Sequence, residues 1–82
     1  MKSYIVATPA QLGQVLKSAR NAADLSQVAL GQQVNVLQKT VSALENNPAG
    51  VQTETVFKIL SALNLELVLR RKPADEDTQD DW

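Results

Sequence analysis

Gln38, Lys39, Ser42 and Ala43 are the side chains of this sequence whose types and spacing suit a reading surface. A glutamine amide offers a donor and an acceptor side by side, which matches the edge that adenine shows in the major groove of DNA. Lys39 can reach guanine acceptors or a phosphate. Ser42 can hydrogen-bond a base edge or a phosphate, and Ala43 can touch a thymine methyl. Gln27 opens an earlier helix-like segment, where its side chain and backbone amide can clamp a phosphate. Asn46, Asn47 and Lys58 are secondary phosphate candidates. All of these residue types also serve as plain solvated surface. Order and spacing favour the reading role for Gln38 and Lys39, whereas Ser42 and Ala43 are evenly balanced. Thr40 precedes the apolar Val41 and suits packing or local capping.

The rest of the composition points away from catalysis. The chain has 82 residues, no cysteine and no histidine. Disulfides, thiolate metal sites and the commonest general base are excluded. No glycine-rich phosphate loop is present. The carboxylates other than Glu45 are scattered or gathered at the end of the chain, and no nucleophile–base pair is visible. No catalytic residue, metal site or cofactor is expected.

The elements that must hold the reading residues follow from periodicity. Thr8 can cap a helix with Pro9 at its first position and Gln11 closing a capping box. Leu12, Val15, Leu16 and Ala19 then recur at helical spacing to about Ala22. Ser26 can cap a short helix over Gln27–Gln33 with Leu30, Gly31 and Val34 inward. Asn35 stops it, since asparagine accepts a left-handed backbone. A third helix runs from about Gln38 to Glu45 with Val41 and Leu44 inward. Asn46-Asn47-Pro48-Ala49-Gly50 is a turn signal. Thr53 caps a fourth helix carrying Val56, Phe57, Ile59, Leu60 and Leu63. Leu65, Leu67 and Leu69 alternate with Glu66, Val68 and Arg70, the period of a strand. A lone strand needs a partner. The candidates are the β-prone lead Ser3–Val6 or the same strand of a second subunit about a two-fold axis, joined through Leu65, Leu67, Val68 and Leu69.

Charge divides the chain. Residues 1–72 hold all eight basic residues and four acidic ones, whereas 73–82 hold five acidic residues and no basic one. We therefore expect a domain over 1–72 that binds DNA and dimerises, followed by a flexible acidic tail ending in Trp82. The tail could order on a basic partner surface with Trp82 as anchor, or simply aid solubility. No apolar run reaches the roughly 18 residues of a membrane span. Met1–Thr8 lacks the pattern of a signal peptide, so the expected location is cytoplasmic.

Two short helices joined by a tight turn suggest a helix-turn-helix. Gly31 is small where the second helix crosses, Asn35 turns the chain, Val41 and Leu44 face inward, and Gln38 and Lys39 face outward. The stretch Leu25-Ser26-Gln27 to Thr40-Val41-Ser42-Ala43-Leu44-Glu45 resembles the motif of the phage-repressor-like (Cro/C1, XRE-type) family. Arg20 sits at the matching spacing. The resemblance implies an ion pair between Arg20 and Glu45. It implies a mainly α, lambda-repressor-like bundle of four to five helices, with a C-terminal strand pairing across a homodimer. Departures are Gly31 for the usual alanine, which should weaken the helix by up to about 1 kcal/mol, Asn35 for the turn glycine, and Leu37 for a small polar cap.

Asn46-Asn47-Pro48, Phe57-Lys58-Ile59-Leu60, Leu65–Leu69 and the acidic tail ending in Trp82 are similar to the HipB-like antitoxin family, across Thr8 to Trp82. That likeness implies a dimeric repressor of its own operon, bound to palindromic operator DNA, which holds a HipA-like serine/threonine kinase toxin through Trp82. The alternative is a phage-type or autoregulatory repressor with no toxin. A protein-interaction adaptor that reads no DNA is a third class.

Overall fold

The computed structural model describes residues 3–73. The acidic residues after Pro73 and Trp82, expected as an anchor, lie outside them. Four α-helices follow in order: α1 Pro9–Ala22, α2 Gln27–Val34, α3 Gln38–Asn46 and α4 Thr53–Ala62, with a 3-10 turn at Pro48–Gly50 before α4. No strand is assigned among the described residues.

Local chemistry sets the helix starts. The Thr8 hydroxyl accepts from the Gln11 amide at 3.1 Å, and the Ser26 hydroxyl accepts from the Ala29 amide at 2.9 Å. The Gln11 side chain closes back on the Ala7 amide at 2.6 Å, one residue earlier than a standard capping box places it. Thr53 is the first helical residue of α4 and not its cap. Gln52 occupies the cap position without a side-chain bond.

Three helices end in the same way. Asp24, Asn35 and Asn64 adopt left-handed backbones at φ 61°, 60° and 59°. In each case the next amide turns back to a carbonyl five residues earlier: Leu25 to Arg20, Val36 to Gly31 and Leu65 to Leu60. The residue making that bond is apolar and packs on the core. This is the Schellman arrangement, with a short polar residue in place of glycine.

The helices enclose Leu16, Leu30, Val41, Leu44, Ile59 and Leu60, all buried. Leu12, Val34, Val36, Val51 and Val56 close the periphery. The backbones come close at two glycines. A Cβ on Gly13 would strike the carbonyl oxygens of Glu45 and Leu44, and one on Gly31 would strike the Val36 carbonyl oxygen. Gly31 therefore answers a packing demand that outweighs its helix penalty.

The flanks behave differently. The lead at Tyr4, Ile5 and Val6 and the segment at Leu67, Val68 and Leu69 are exposed, Leu69 at 88%. Leu65 instead packs on its own core, so the expected alternating face of Leu65, Leu67 and Leu69 is broken within the single chain. No helix among the described residues is long and apolar enough to cross a membrane.

Candidate nucleic-acid interface

The interface grows outward from one buried ion pair. Arg20 on α1 and Glu45 on α3 are 9% and 6% exposed. Arg20 Nε donates to Glu45 Oε2 at 2.6 Å and Nη2 donates to Oε1 at 3.2 Å. Nη1 donates to the Leu25 carbonyl at 2.7 Å, which ties in the loop before α2. Such a two-toothed contact fixes orientation as well as supplying energy. Burying the pair costs solvation, so its main effect is to set how α1 and α3 cross. No buried side-chain polar atom among the described residues lacks a partner.

The network continues to the surface. Gln27 Nε2 donates to Glu45 Oε1 at 3.1 Å, and Gln38 Nε2 donates to Gln27 Oε1 at 2.6 Å. A carboxylate can only accept, so Glu45 draws the nitrogen end of Gln27 toward itself. The Gln27 oxygen then faces Gln38 and takes one of its two amide hydrogens. Gln38 keeps one N–H and its carbonyl oxygen, a donor beside an acceptor. Gln27, expected to clamp a phosphate with its side chain and backbone amide, uses that side chain as the link between the ion pair and Gln38. Sequence reasoning missed this coupling, because the two glutamines lie on different helices.

Helical spacing arranges the remaining residues in two adjacent stripes. Gln38, Ser42 and Asn46 form one. Asn46 Nδ2 donates to the Ser42 carbonyl at 2.9 Å and to the Ser42 hydroxyl at 3.3 Å. Asn46 is thus folded onto its own helix, and the Ser42 hydroxyl hydrogen is left to point elsewhere. The second stripe is Lys39, Ala43 and Asn47. These line an open groove of ≈ 580 Å³ together with Gly50, Gln52 and Thr55. Gln38, Lys39 and Asn47 are exposed, whereas Ser42 and Ala43 are half-buried. Lys58 is exposed on α4. The start of α3 has no side-chain cap, because Leu37 carries no polar atom.

Known proteins share this fold. Residues 16–69 match the helix-turn-helix family HTH_3. Antitoxin HipB of Escherichia coli K12 is 36% identical over 62 residues, spanning 76% of this chain and 70% of that protein. Antitoxin HipB of Escherichia coli O6:H1 is 36% identical over 62 residues, spanning 76% of this chain and 66% of that protein. The HipA-HipB-O2-O3 complex contains a similar chain with TM-score 0.82 and 31% identity, covering 87% of this chain and 100% of that one. The HipB-O4 20mer complex gives the same TM-score of 0.82 at 31% identity, covering 87% of this chain and 100% of that one. The chain belongs to the helix-turn-helix family of Cro/C1 (XRE) type, among its HipB-like antitoxins.

Proposed function

We propose that this protein is a homodimeric, operator-binding transcriptional repressor that also serves as the antitoxin of a HipA-like serine/threonine kinase and controls its own operon. The observation that carries the DNA reading is the chain of contacts from Arg20 through Glu45 and Gln27 to Gln38, which leaves a donor–acceptor edge at the exposed start of α3. That edge suits adenine. Lys39 reaches guanine acceptors or phosphate, and Ala43 faces a thymine methyl. Ser42 donates its hydroxyl hydrogen to a base edge or phosphate. The backbone amide of Gln27 at the start of α2 takes the phosphate role, Asn47 and Lys58 are further phosphate candidates, and Asn46 contributes only after releasing Ser42. The relatives solved with HipA and with 20mer operators support both halves of the reading.

Dimerisation rests on Leu67, Val68 and Leu69, which are apolar and exposed in the single chain. Pairing these segments about a two-fold axis satisfies their backbone groups and hides their side chains. Leu65 supports the segment from its own core. Two reading helices about 34–36 Å apart then meet a palindrome. Residues 1–72 form the DNA-binding and dimerisation domain, and 73–82 the tail that offers Trp82 to the kinase. The protein acts without catalysis or cofactor, in the cytoplasm and on the nucleoid when bound.

Two measurements test this. Footprinting of the upstream region should show protection of a palindrome that is lost with Gln38→Ala and Lys39→Ala together; unchanged protection removes the readout assignment. Co-purification with the neighbouring kinase should weaken on truncation after Pro73 while DNA binding persists. Equal capture with and without the tail removes the anchor, and the absence of any kinase partner leaves a plain autoregulatory repressor.

A further inference from the structure

We infer that Leu37 reads DNA sequence by packing its side chain on the C5 methyl of a thymine next to the base that Gln38 reads, an inference that rests on the operator-binding reading. Leu37 occupies the cap position of α3, with φ −67° and ψ 148°. Caps favour Ser, Thr, Asp or Asn, because a side-chain oxygen there pairs a free amide of the first turn. Leucine forgoes that bond. It gains nothing from the core either, for it is 65% exposed while its neighbour Val36 packs inward. Its backbone is fixed, since its carbonyl accepts from the Thr40 and Val41 amides at 3.0 and 3.1 Å. A large apolar side chain thus stands at the outward tip of the reading helix, beside the amide of Gln38. The thymine methyl is the apolar group that the major groove presents. It accounts for both departures at once: the missing cap and the exposed leucine.

The test uses the full chain and the half-site recovered by selection from random duplexes. Each thymine is replaced in turn by deoxyuridine, which removes only the methyl. Beside any response at the thymine facing Ala43, the wild-type protein should lose about fourfold in affinity at the thymine next to the base read by Gln38, the worth of one buried methyl-sized group. Leu37→Ala should bind the thymine duplex more weakly by a similar factor and be indifferent to deoxyuridine there. Leu37→Ser should raise the melting temperature by restoring a cap and still be indifferent, which separates reading from stability. Gln38→Ala should keep the deoxyuridine response while losing its adenine preference. The inference is overturned if the thymine next to the base read by Gln38 does not respond in the wild type, or if either Leu37 variant keeps the full response there. A wild-type protein with no sequence preference at all is a separate failure, that of the operator reading itself.

Discussion

The outward end of α3 and the segment after α4 are both exposed, yet one is finished by its own chain and the other is not. Gln38 is held by Gln27, Gln27 by Glu45, and Glu45 by Arg20, so the proposed reading surface is anchored in the interior. Leu67, Val68 and Leu69 have no helix or strand in the single chain and show their apolar side chains to solvent. If the proposed reading residues hold, the contrast teaches that specificity is built into the monomer, whereas the spacing of two reading heads waits on assembly. Pre-ordering the contacts lowers the entropy lost on binding.

The comparison breaks most sharply at Arg20. Arg20→Met strands the Glu45 carboxylate and should cost about 3–5 kcal/mol in urea denaturation. A loss under about 1 kcal/mol would mean that the reading end is not anchored inside. Gly31→Ala should cost about 1–3 kcal/mol through overpacking against Val36, despite alanine's better helix propensity. A variant more stable than the wild type would show that the α2–α3 crossing can relax. Gln27→Ala should change stability by no more than about 1 kcal/mol, yet remove about 1–3 kcal/mol of discrimination for adenine in competition binding. Unaltered discrimination would make Gln38 self-sufficient. Leu69→Ser should shift single-chain stability by about 0.5 kcal/mol at most. Sedimentation should nevertheless show dimer dissociation at higher protein concentration. An unaffected dimer would locate the interface elsewhere.

Local signals were legible because they act over a few residues. Thr8-Pro9, Ser26 and the spacing of Leu12 with Leu16 and of Val41 with Leu44 set three helices close to their observed bounds. The turn at Asn35 was readable because asparagine tolerates a left-handed backbone. Asp24-Leu25 and Asn64-Leu65 carry the same short-polar-then-apolar pattern, and their left-handed turns could have been found by it. Other features depend on tertiary contact, which spacing does not encode. Gly13 looks like an ordinary interruption of α1 until the α3 carbonyls appear beside it. Leu65 matches the strand period of Leu67 and Leu69, but the turn at Asn64 draws it into the core. Phe57, apolar on α4, is 48% exposed, although the pattern alone gave it no different standing from Ile59. Among the proposed site residues, the exposed position of Gln38 and Lys39 at the start of α3 was legible. The contacts of Gln27 were not, since both of its partners, Gln38 and Glu45, lie on a different helix, α3.

Gly13 has one last consequence. With no side chain between them, α1 and the carbonyl end of α3 lie backbone to backbone, so α3 cannot roll about its axis without pushing α1 aside. The docking angle is therefore insulated from the letters carried on the outer face. Evolution, or a protein engineer, can exchange those letters like type in a fixed press, changing the text that is recognised while the machine that presents it stays in alignment.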